Sequence, residues 1–210
     1  MLRRLPIVGV FGSGSDIDAG EAARARAVGA MVARLGAHLL TGGGFGIMEA
    51  AAQGFTGVEP RAGFSIGAVP RQASGAFDQP NKDRHGRLYP NAFVEIAIFT
   101  PLPPREIRWR SLPARNHVNV LTADAIVGLP GGVGTQNELD MAAHYREEAA
   151  RARGERRTVL VGPPDAFSPE HREQFVRVDD AIAAARHLRG VLVAQGFAIA
   201  EEAPHDAVAS

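Results

Sequence analysis

Three times along this 210-residue chain a short apolar run ends in a cluster of glycines and is followed by residues at helical spacing. Ile7-Val8-Gly9-Val10-Phe11 leads into Gly12-Ser13-Gly14-Ser15. Ala37-His38-Leu39-Leu40-Thr41 leads into Gly42-Gly43-Gly44-Phe45-Gly46, and Ala125-Ile126-Val127-Gly128-Leu129 into Pro130-Gly131-Gly132-Val133-Gly134. A strand that is apolar on both faces belongs in the middle of a parallel sheet, and helices between such strands supply the cover. Residues 64–69, 93–99 and 158–161 read as three more strands. Helical spacing is found over 18–36, 47–55, 111–121, 135–151 and much of 169–195. The expected fold is α/β: a single Rossmann-like, doubly wound domain over residues 1–200, with a mainly parallel sheet and helices on both faces. Residues 201–210 are expected to form a loosely held tail. Sheets of this kind take ligands at the carboxyl ends of their strands, where the glycine clusters fall.

Composition narrows the chemistry. There is no cysteine, so disulfides, thiolate metal sites and cysteine nucleophiles are excluded. Acidic and basic residues balance at 23 each, which argues against a surface built to neutralise nucleic acid. No stretch approaches the roughly 18 apolar residues of a membrane span, and the amino terminus leaves no room for a secretory signal. A cytoplasmic protein without membrane or nucleic-acid partners is the expectation. Lys82 is the single lysine and lies in a turn-rich polar stretch, unsuited to the buried Schiff base of a pyridoxal enzyme. His117, Asp124, Asp140 and His144 do not stand at metal-ligand spacing, so no metal is expected. No cofactor is called for.

The third glycine cluster carries the strongest signal. In Pro130-Gly131-Gly132-Val133-Gly134-Thr135-Gln136-Asn137-Glu138, glycines let backbone N–H groups approach a ligand. The helix start beyond them favours an anion. The pattern is neither a dinucleotide fingerprint nor a P-loop. A competing explanation is a capping box, with Thr135 and Glu138 merely satisfying the first turn of the helix. Gly131, Gly132, Val133, Gly134 and Thr135 are the candidate phosphate site, with Gly12, Ser13, Gly42, Gly43 and Gly44 as the opposite wall. In the preceding helix, Ser111 is expected as the cap and Pro113 in the first turn, which places Arg115 and Asn119 on one face. Arg115 read alone would pair with a surface carboxylate. Residues 70–91 show neither period and are too long for an ordinary connection. The small-residue helices 21–35 and 142–152 suggest a self-association surface.

The pair formed by Gly42-Gly43-Gly44-Phe45-Gly46-Ile47-Met48 and Pro130-Gly131-Gly132-Val133-Gly134-Thr135-x-x-Glu138 resembles the motif pair of the LOG family. These are the cytokinin riboside 5′-monophosphate phosphoribohydrolases, formerly called lysine decarboxylases. The resemblance covers residues 6 to 161. It implies a Rossmann-like homodimer that cleaves the N-glycosidic bond of a nucleoside 5′-monophosphate, with Arg115 and Glu138 as catalytic residues. It departs from the family at Arg115-Asn116-His117-Val118-Asn119, where the family has R-K-x-x-M. Asn116 and Asn119 at these places, which the resemblance adds to the nucleotide-binding candidates, are similar to a sister branch containing the molybdenum-cofactor carrier proteins. That branch implies a non-catalytic alternative, in which a phosphorylated ligand is carried and not hydrolysed.

Overall fold

In the computed structural model, residues 4–70, 81–103, 108–147 and 156–199 are described. The expected tail over 201–210, and the far end of the helix expected over 135–151, lie outside them. Seven strands form one sheet: β1 (Ile7–Phe11), β2 (His38–Thr41), β3 (Ser65–Val69), β4 (Ile96–Phe99), β5 (Ala125–Gly128), β6 (Thr158–Val161) and β7 (Val176–Val178). Their order is β4-β3-β2-β1-β5-β6-β7, and every pairing is parallel. From β1 the chain winds outward to β4, then returns to lay β5 on the other side of β1. The topological switch point is therefore the gap between β1 and β5. The first and third glycine clusters open on that gap, and Ser13 N–H donates to Pro130 O across it (3.1 Å).

The helices are α1 (Ala19–Arg34), α2 (Ile47–Thr56), α3 (Arg115–Thr122), α4 (Val133–Ala142), α5 (Pro169–Gln174) and α6 (Ala181–Ala194). A π-helical turn, Ala143–Glu147, follows α4. On one face of the sheet α1, α2 and α6 bury Val28, Val32, Phe55 and Leu188 against Val8, Val10 and Val127. A second cluster, around Phe11, Ile126, Leu139, Leu160 and Phe175, covers the other. Asp18 caps α1 in a capping box with Glu21: each side chain accepts the other's backbone N–H, at 2.7 and 2.9 Å. Such a cap is worth about 1 kcal/mol.

Several sequence expectations change. Residues 169–195 do not form one helix: Phe175 ends α5, β7 follows, and Asp180 caps α6 through the N–H of Ala183 (2.8 Å). The fourth strand begins at Ile96, not at residue 93. The small-residue face of α1 is not left for a partner, because Ala25, Val28, Gly29 and Val32 are buried and α2 packs closely there. A Cβ on Gly29 would lie 2.7 Å from the carbonyl carbon of Ala51.

Candidate functional site

A cavity of about 280 Å³ lies at the switch point, at the small end of the usual range for ligand pockets. Gly12, Ser13, Gly14 and Ser15 line it from the loop after β1, and Gly132, Val133, Gly134 and Thr135 from the loop and helix start after β5. Met48 of α2, Tyr89, Arg115 and Asn116 of α3, and Glu138 of α4 complete the wall.

Helix α4 starts at Val133, with Gly132 as its N-cap and no side chain capping it. Its first backbone N–H groups are thus free for a ligand or solvent. Thr135 and Glu138 both lie inside the helix, Glu138 in its second turn, so the capping box between them is not formed. Both are buried, at 4% and 7% exposure. The positions of Gly132 and Gly134 meet open space: a Cβ on either would touch nothing within 4 Å. Gly131 sits behind them, where a Cβ would lie 2.8 Å from Ser13 N and collide with Thr135.

Helix α3 starts later than its sequence suggests. Ser111 does not cap it, and Pro113 precedes its first turn. The cap position is Ala114, whose N–H donates to His117 Nδ1 (3.0 Å). That leaves His117 Nε2 to donate to the carbonyl of Trp109 (2.9 Å). Trp109, which lies under the Arg110 guanidinium, is buried against His117, His144 and Tyr145. Arg115 opens the helix, its N–H held by Pro103 O at 2.8 Å.

Arg115 is no surface arginine. It is 7% exposed, and its buried Nε has no partner among the described residues. Burial pulls its affinity for the proton down; the nearby Glu138 and Tyr89 pull it back up. A guanidinium stays protonated in any protein setting, so a fixed cation faces the cavity. Burial pushes the Glu138 carboxyl above the usual carboxylate range, against the pull of Arg115 and of the hydrogen bond from Asn119. That bond runs from Asn119 Nδ2 to Glu138 Oε1 at 2.8 Å, both groups buried.

Asn119 therefore stands behind Glu138, outside the cavity lining. Asn116 is at the wall, its amide 3.4 Å from Gly134 O and 3.3 Å from Asn137 Oδ1, and ties α3 to the start of α4. The second glycine cluster is also set back. Gly42, Gly43 and Gly44 are not among the lining residues, and the smallness of Gly42 and Gly44 serves side chains that are. A Cβ on Gly42 would collide with the Arg115 guanidinium, and one on Gly44 would lie 2.9 Å from the Tyr89 ring and 2.7 Å from Met48 Cε. Gly14, Ser15, Met48 and Tyr89 are the lining residues that the sequence candidates did not include. Met48 was visible only as part of a motif. Tyr89 falls in the segment without period, and the glycine that makes room for it was the only hint.

The other sequence candidates have local tasks. Asp124 holds Arg4 (2.6 and 2.7 Å) and the N–H of Ile7 (2.9 Å), and Asp140 holds His171 (2.9 Å).

Fold and pocket together define an open, doubly wound α/β protein with a polar cavity at its switch point. Within that class the chain belongs to the SLOG cluster4 family, whose model matches residues 5–153. The resemblance to the LOG family therefore holds at the level of the family. An uncharacterized protein of Archaeoglobus fulgidus is 30% identical over 139 residues, 66% of this chain and 74% of the relative. Among solved structures, the molybdenum cofactor binding protein of the phototrophic bacterium Rippkaea orientalis is 26% identical. It covers 91% of this chain and 99% of its own, with a TM-score of 0.64. The molybdenum cofactor carrier protein of Chlamydomonas reinhardtii is 24% identical and shares the fold, with 90% and 99% coverage and a TM-score of 0.62. No helix among the described residues is long and apolar enough to cross a membrane.

Proposed function

We propose that this protein binds a nucleoside 5′-monophosphate at the switch point and hydrolyses its N-glycosidic bond to free base and ribose 5-phosphate. One observation carries the reading: a buried carboxylate and a buried arginine whose Nε has no partner among the described residues face the same small cavity as an uncapped helix start. The N–H groups at the start of α4, with the Thr135 hydroxyl, would hold the phosphate. Cleavage then needs what Glu138 and Arg115 supply. As the C1′–N bond breaks, its electron pair leaves with the base and positive charge gathers on C1′ and the ring oxygen. The Glu138 carboxylate, one turn past the phosphate site, stabilises that charge and orients the attacking water. The water oxygen bonds to C1′, and one of its protons ends on the departing base. Arg115 clamps the substrate and offsets negative charge on the phosphate or base.

A second reading, non-catalytic carriage of a phosphorylated, pterin-type cofactor, is favoured by Asn116 and Asn119 and by the likeness to the Rippkaea orientalis protein. Incubation with a panel of nucleoside 5′-monophosphates, with chromatography of the products, separates the two. Released base together with ribose 5-phosphate supports hydrolysis, and tight binding without release supports carriage.

The functional form in this reading is a C2 homodimer in the cytoplasm. Support for the dimer comes from β4, an edge strand of a parallel sheet whose Ile96, Ile98 and Phe99 are all exposed. Parallel sheets ordinarily have both faces covered.

A further inference from the structure

Residues 81–91 form a strap beside the cavity, and its construction is more elaborate than a connection requires. Tyr89 N–H donates to Asn81 O (2.8 Å), and Lys82 bridges Leu88. Asp83 accepts the backbone N–H groups of His85 (2.9 Å) and Arg87 (2.8 Å), and pairs with the Arg87 guanidinium at 2.7 Å. The strap is fastened to two of the glycine loops. Arg84 reaches Asp16, just past the first, at 2.7 Å. Asn91 holds the second through its N–H to Gly43 O (2.9 Å) and its side-chain amide to Gly44 O (2.5 Å).

Little of this strap enters the core. Arg84, His85 and Leu88 stay outside, and the aromatic group it turns inward is Tyr89. The Tyr89 ring meets Phe45 edge-on, 5.5 Å between centroids at 76°, and the Arg87 guanidinium covers Phe45 at 3.9 Å. Gly44 lacks the Cβ that would displace the ring. Phe45, Arg87, Gly44 and Asn91 thus all fix where the phenol stands, at the cavity wall with Arg115.

We infer that Tyr89 is a specificity residue whose hydroxyl hydrogen-bonds the nucleoside portion of the ligand, the phosphate being held by the start of α4. The inference rests on the nucleotide reading above. The phenol is suited to it: burial keeps it protonated beyond the ordinary tyrosine range, so at neutral pH it both donates and accepts. The bland alternative is that Tyr89 only fills space against Phe45.

Tyr89→Phe distinguishes these, since it keeps the ring and removes only the hydroxyl. Titration calorimetry would compare wild type and variant with adenosine, guanosine and cytidine 5′-monophosphates and with inorganic phosphate. Expected is a three- to tenfold loss of affinity, roughly one hydrogen bond, for the nucleotide the wild type binds best. Phosphate affinity and melting temperature should not change. Equal nucleotide affinity in the two proteins, or an equal loss for nucleotide and phosphate, overturns the Tyr89 assignment alone. A wild type that binds phosphate but none of the nucleotides overturns the nucleotide reading and the assignment with it.

Discussion

Glu138 is kept where its charge is costly, and that has consequences at single residues. Its folded-state pKa is raised by burial, so the native protein holds the proton more tightly than the unfolded chain does. The sign follows from linkage: the contribution to stability is present below the ordinary carboxylate range and is lost as pH rises through the raised value. Glu138→Gln should therefore melt like wild type in acid and above it at neutral pH, with the gap opening as pH rises; calorimetric scans across pH 4 to 8 check this. Turnover has the opposite sign, because the carboxylate is the working form, so its acid limb should lie above the usual carboxylate range. Asn119 donates to that carboxylate and favours it. Asn119→Leu should move the acid limb to higher pH, read from a rate profile, while Arg115 and Tyr89, the other charged or titratable groups felt at the site, stay in place. Arg115 and Glu138 were legible in the sequence only through a motif, since periodicity alone places neither side chain. The position of Asn119 behind Glu138 was not legible at all, because a residue four beyond Arg115 shares its helix face without sharing its neighbours.

At the scale of elements, the central strands and their glycine turns were readable because β1, β2 and β5 are apolar on both faces. What failed was local. β7 has three half-buried residues, too few to show a period, and lies between two helices whose caps sit at Ser168 and Asp180. The start of α3 was misplaced because the cap position is Ala114, whose N–H is satisfied by the His117 ring, and Ser111 caps nothing there. Among glycine turns, sequence could not tell a residue that admits a ligand from one that admits another side chain. The structure separates them, and substitution should too. Gly132→Val projects into open space from a backbone any residue adopts (φ −83°). It should fold with an unchanged melting temperature and lose nucleotide affinity by calorimetry. Gly29→Ala meets the α2 backbone instead, and overpacking of this kind costs about 1–3 kcal/mol. Its urea midpoint should fall, with nucleotide affinity retained under native conditions.

For the whole molecule, strand order places the site: two loops converge where the winding reverses, and α3 and the 81–91 strap supply the remaining wall. Self-association could not be read from the small residues of α1, which spends that face on α2, and the second small-residue stretch, 142–152, runs out of the described residues. The exposed edge at β4 is the better candidate. Light scattering at micromolar concentration should give twice the chain mass, and Ile98→Asp should give one. The chemistry is tested most directly by base release in single turnover, with wild type or Glu138→Gln protein in saturating excess over a nucleoside 5′-monophosphate. The wild type should release base, and the variant should bind the nucleotide as tightly while releasing base about a hundredfold more slowly or less. Equal rates from the two proteins would contradict the role given to Glu138, and a wild type that binds and releases nothing would mark the protein as a carrier.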